Sequence, residues 1–115
     1  MNVLLITSEA GQRNNIPLVL DTLYMGVFTL TVNDNLLQAF DQVKNGSYDA
    51  ILVSNHVRAR PNSASILDGH KLIEEWCNSN NIITPLYKLT TTKPTVELID
   101  FFRYLNTDVI DVEVV

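Results

Sequence analysis

The amino-acid sequence predicts an α/β fold, a parallel sheet with helices packed on both faces, and three observations predict it. Short apolar or alternating segments recur along the chain, and segments with helical spacing separate them. Two of the apolar segments, around 3–6 and 48–53, are continuous runs rather than alternating ones, as strands covered on both faces are. With 115 residues, 46% hydrophobic and 18% charged, the chain is read as one domain, 1–115, with enough apolar side chains for a core.

The first strand, Val3 to Ile6, ends in Thr7-Ser8-Glu9. A polar loop, Gly11 to Asn15, is expected next. A helix follows, in which Ile16, Val19, Leu20, Leu23 and Tyr24 recur at helical spacing; Pro17 falls in its first turn, where a missing N–H has no partner. Phe28, Leu30 and Val32 alternate with Val27, Thr29 and Thr31, which suits an edge strand. Asn33 or Asp34 can cap a second helix with Leu36, Leu37, Phe40 and Val43 on its apolar side, stopped by Gly46 in a left-handed conformation. The central strand, 49–54, turns abruptly polar at Ser54-Asn55. His56 to Ser65 is rich in turn formers and reads as a long loop.

Asp68-Gly69 leads into a third helix through Leu72, Ile73, Trp76 and Cys77, closed by Asn78 to Asn81. A fourth strand lies within 82–90, with Pro85 near its start. Thr95 can cap a fourth helix that buries Leu98, Ile99, Phe102 and Leu105. Asn106-Thr107-Asp108 reads as a break, and 109–115, β-branched and alternating, as a fifth strand.

This order calls for right-handed crossovers, and the two alternating strands, second and fifth, suit the edges of a 2-1-3-4-5 sheet. The expectation is a flavodoxin-like three-layer sandwich: a five-stranded parallel sheet with no helix after its last strand. One sheet face beside the first helix then lies open. A homodimer through that face, or across the terminal strand at 109–115, follows as an expectation.

Composition narrows the function classes. The net charge is −5 and the basic residues are scattered, which disfavours direct nucleic-acid binding. Cys77 is the only cysteine and forms no internal disulfide; the chain's start lacks the basic residues and length of a signal peptide. No stretch approaches the ~20 apolar residues that span a bilayer. A cytoplasmic location without a membrane partner is expected. Gly11 stands alone after the first strand, so no Gly-rich phosphate loop is present. Two His and one Cys, dispersed, make no zinc site, and neither metal nor cofactor is expected.

Open α/β sheets bind ligands at the carboxyl ends of their strands, which directs attention to Ser54, Ser8 and Thr90. These hydroxyls could line a pocket for an anion with Lys93 or Arg58 nearby, or simply satisfy strand-end backbone groups. His56 lies two residues from Ser54 without a Gly-x-Ser-x-Gly elbow, so a Ser-His hydrolase is not supported. His70 reads as a first-turn helix residue, and Trp76 and Cys77 as core. Arg58 and Arg60 are candidates for contact with a partner, since a guanidinium offers directional donors. Phe101 and Tyr104 flank the buried face of the fourth helix.

With the strands placed, the chain resembles the receiver domain of two-component response regulators over most of its length. The residues that carry the resemblance are the apolar first strand, Tyr48-Asp49-Ala50-Ile51-Leu52-Val53 before the phosphoacceptor position, Asp68-Gly69 with Leu72, and Pro85-Leu86-Tyr87-Lys88-Leu89-Thr90. Receivers hold magnesium with an acidic pair after the first strand and with the phosphate-accepting aspartate after the third. Here those places fall on Thr7 and Ser8, and on Ser54, with Glu9 close by and Asp49 at the wrong end of its strand. Hard divalent cations need anionic oxygens, and an acyl phosphate needs a carboxylate, so the resemblance implies that phosphotransfer is lost.

Thr90 matches the family's switch hydroxyl. The family's lysine after the fifth strand has no match when 109–115 is that strand. Lys93-Pro94 resembles the family's Lys-Pro motif, and another alignment makes 87–92 the fifth strand, but it leaves too few residues after Gly69 for the intervening elements. The resemblance also implies a docking surface at the fourth helix, near Phe101 and Tyr104. The expected function is a non-catalytic pseudo-receiver that regulates by binding a protein partner, whose identity the sequence does not give. The alternative is a small-molecule or anion-binding flavodoxin-like domain using the hydroxyl-lined strand ends.

Overall fold

The structure, a computed structural model, describes residues 1–90 and 95–114, with side chains for all of these but 107–114. Its main sheet has four parallel strands. β1 (Asn2–Ile6) lies between β2 (Thr29–Asn33) and β3 (Ala50–Ser54), and β3 pairs on its other side with β6 (Leu86–Leu89), giving the order β2-β1-β3-β6. β1 is buried from Val3 to Ile6 and β3 along its whole length, so both are apolar rather than alternating.

Successive residues of these strands feed two separate cores. Val3, Leu5, Ala50 and Leu52 face α1 (Ala10–Leu23) and α4 (Val96–Val114), which supply Ile16, Leu20, Leu98 and Phe102. Leu4, Ile6, Ile51 and Val53 face α2 (Leu36–Asn45) and α3 (Gly69–Ser79), through Leu36, Val43, Ile73 and Cys77. Each fully buried Leu, Ile or Phe contributes about 1.5–3 kcal/mol, so these two layers hold the sandwich together. The α/β architecture with a parallel sheet is as expected and is compatible with a flavodoxin-like fold.

The sheet order and strand count differ from the expectation. Residues 109–114, read as a fifth strand, continue α4 to Val114, so β6 is the sheet edge. Once a helix is nucleated each further residue gains a hydrogen bond, whereas a strand here must first close a loop back to the sheet. A helix therefore does follow the last strand, and its Leu98, Phe102 and Leu105 cover the face expected to lie open. The anticipated homodimer thus loses both of its contact surfaces. Lys88 of β6 reaches toward α3, with Nζ 2.8 Å from Glu74 Oε2.

Smaller differences have local causes. α1 begins at Ala10, so the expected loop at 11–15 is helical, Gln12 is buried, and Pro17 lies inside the helix rather than in its first turn. The ring there withholds a donor from the carbonyl one turn back. Asn35, not Asn33 or Asp34, caps α2, its side chain accepting from Gln38 N at 2.9 Å. Gly46 ends α2 in an extended conformation (φ −84°), not a left-handed one; its bare Cα leaves room for the Tyr48 ring. A left-handed residue follows α3 instead, at Asn81 (φ 55°). The long loop contains an antiparallel ribbon, β4 (Val57–Arg58) with β5 (Ile66–Leu67), joined to α2 where Leu37 N donates to Ala59 O at 3.1 Å.

Candidate functional site

The registers Ile6 with Asn33, Ile6 with Val53, and Ser54 with Leu89 align the strands' carboxyl ends along one edge of the sheet. Thr7, Ser8, Glu9, Ser54 and Thr90 all lie at that edge, but the hydroxyls of three of them are engaged locally. Thr7 Oγ1 donates to Gln12 Oε1 at 2.6 Å and accepts from Glu9 N at 3.0 Å. Ser8 Oγ donates to Asp34 O at 2.6 Å and accepts from Arg58 N at 2.8 Å, which ties the turn after β1 to the ribbon. Ser54 is fully buried and its Oγ accepts from His56 N at 3.1 Å. These bonds fasten the turns that leave the strands, as short hydroxyl side chains commonly do. Thr90 is exposed.

The charges around this edge are spread out. Glu9 Oε1 is 3.4 Å from His56 Nδ1, and Asp34 Oδ2 is 3.8 Å from Arg58 Nη1; such partly exposed pairs are worth about 0–1 kcal/mol. Asp49 sits at the opposite end of the sheet, where its carboxylate accepts from Asn2 N at 2.7 Å. Among the described residues no three His, Cys, Asp or Glu side chains are grouped as ligands for one ion. Lys93, considered as an anion partner, lies outside the described residues.

Two residues at this edge do work that the sequence did not reveal. His70 Nε2 is 2.8 Å from Leu89 O; the carbonyl only accepts, so Nε2 carries the proton and the ring ties the start of α3 to the end of β6. Gly69 packs so closely that a Cβ would collide with Ser54 O and the Val57 side chain. The Asp68-Gly69 pair is therefore needed where α3 starts against β3, with Asp68 as the helix cap.

Beside this edge, α2, the β4–β5 ribbon and the start of α3 enclose an open apolar groove of about 310 Å³. Leu37 and Phe40 line it from α2, Ala59, Arg60 and Leu67 from the ribbon, and Leu72 from α3. Leu37 was expected on the buried face of its helix, yet it is 56% exposed. Adjacent helix positions are about 100° apart, and here Leu36 takes the core side while Leu37 turns outward. That adjacency, together with Ile66-Leu67 inside a turn-rich stretch, was the available signal for the groove. Arg60 is exposed on its rim.

On the other side of the sheet, Phe101 is half-buried, its ring centroid 5.2 Å from Tyr87 and 6.0 Å from Phe102. Tyr104 is exposed. The structure thus separates the four residues considered for partner contact: Arg58 and Arg60 belong to the ribbon, Phe101 and Tyr104 to α4. Trp76 is half-buried against Phe40, with Nε1 donating to Phe40 O at 3.2 Å.

No family model and no curated protein matches this sequence. No helix among the described residues is long and apolar enough to cross a membrane.

Proposed function

We propose that the chain is a non-catalytic pseudo-receiver, a regulatory module that binds another protein and does not depend on aspartyl phosphorylation. The observation that carries this reading is Ser54 at the end of the central strand: a neutral hydroxyl, fully buried, accepting from the backbone of the turn that follows it. In a receiver that place belongs to the aspartate that accepts phosphate. The hydroxyls of Thr7 and Ser8, where the family has its acidic pair, are likewise taken up by Gln12, Glu9, Asp34 and Arg58.

The position of α4 supports the resemblance in a different alignment from the one preferred on sequence. It packs beside α1, the place of the family's last helix, and it follows Lys93-Pro94. The shortage of residues after Gly69 is then accounted for by one strand–helix unit fewer than the family has. The other reading, an anion-binding domain built on strand-end hydroxyls, has less support because those hydroxyls are already bonded.

The test is incubation with acetyl phosphate and magnesium followed by intact mass measurement. No phosphoryl adduct is expected; a stoichiometric, acid-stable or hydroxylamine-sensitive adduct would overturn the reading.

A further inference from the structure

We propose that the groove between α2 and the β4–β5 ribbon binds an acidic, apolar-rich peptide segment of a partner protein, with a bulky apolar side chain in the groove and a carboxylate on Arg60. The inference rests on the reading of the chain as a binding module and gives that module its surface and partner chemistry.

The first argument is the lining. Leu37 and Leu67, which line the groove from its two framing elements, are 56% and 40% exposed. An apolar concavity with a charged rim is the form that protein recognition sites take. The groove is also fixed in place. Its floor includes Leu36, which is fully packed, and its outer wall is held by Leu37 N to Ala59 O and Ala59 N to Ser65 O, both 3.1 Å. A peptide therefore enters without the cost of ordering the site.

The second argument is charge. The chain has 13 acidic and 8 basic residues, yet the only charged side chain lining this groove is Arg60. Arg60 makes no ion pair among the described residues, whereas its neighbour Arg58 is occupied by Asp34. Its guanidinium thus presents free donors in the geometry that suits a carboxylate. Exposed Asp41, one turn from Leu37, and exposed Asp68, beside Leu67, lie outside the lining, so the attraction for a carboxylate is confined to Arg60 itself.

The test is selection of a displayed library of short random peptides on the intact chain, followed by affinity measurements with individual synthetic peptides. Enriched sequences are expected to combine Leu, Phe or Trp with Asp or Glu. Their affinity should fall about tenfold or more on Leu37→Asp and on Arg60→Glu. Arg60→Glu should regain binding when the peptide's acidic residue is replaced by Lys. Both side chains are exposed, and thermal unfolding checks each variant; if Leu37→Asp does not fold, the charge swap at Arg60 decides alone. No enrichment, enrichment of peptides without acidic residues, or binding unaffected by both variants would overturn the inference. A dimer abolished by Leu37→Asp would also overturn it, because the occupant would then be a second copy. Peptides that bind through Tyr104 would remove the groove but keep the binding module, while a phosphoryl adduct would remove the pseudo-receiver reading without touching the groove.

Discussion

Ser54 and Cys77 illustrate how burial sets what a single side chain does in this chain. The Ser54 hydroxyl receives the His56 N–H at the end of a strand with no solvent access, so Ser54→Ala leaves that donor without its acceptor. A loss of about 1–2 kcal/mol in urea unfolding is expected, with no change in peptide affinity at the groove. Burial pushes the Cys77 thiol above its usual range, and the Glu74 carboxylate acts in the same direction. The folded state therefore holds the thiol's proton more tightly than the unfolded state does. The stability this provides is fully present below the unfolded thiol's value, about pH 8.5, and is lost as pH rises through the higher folded value. Denaturant midpoints taken across the alkaline range should fall for the wild type more steeply than for Cys77→Ala.

At the scale of elements, the contact between α3 and β3 is the tightest constraint near the site. Gly69→Ala forces a Cβ against a backbone carbonyl that has little room to move, and a destabilisation of about 1–3 kcal/mol is expected from thermal or urea unfolding. Sequence patterns made the two central strands legible because burial on both faces leaves an unbroken apolar run. The three internal helices were legible as types, though not α1's start: residues 11–15 are mostly polar, and the side chain they bury is Gln12. The ribbon escaped notice because two-residue strands have no period to read. The end of the chain misled for the opposite reason. Its β-branched alternation suits a strand, but strand preference is a matter of packing context, and α4 propagates through it.

For the whole molecule, two helices on each face of a four-stranded parallel sheet of order β2-β1-β3-β6 make a smaller sandwich than the five-stranded one expected. The position of the candidate site was legible, since the carboxyl edge of such a sheet is predictable from strand order alone. Its chemistry was legible only as residue types. That the Ser8 hydroxyl bridges Asp34 and Arg58, and that the open surface lies beside it between α2 and the ribbon, depends on contacts between residues distant in sequence. The proposed reading of the chain as a pseudo-receiver requires that it carry out no phosphoryl chemistry. Its most direct test is a titration of the isotope-labelled chain with magnesium and beryllofluoride, followed by amide NMR. The account predicts no saturable shift at 7–9, 54–56 or 90; saturable, magnesium-dependent shifts at those residues would contradict it.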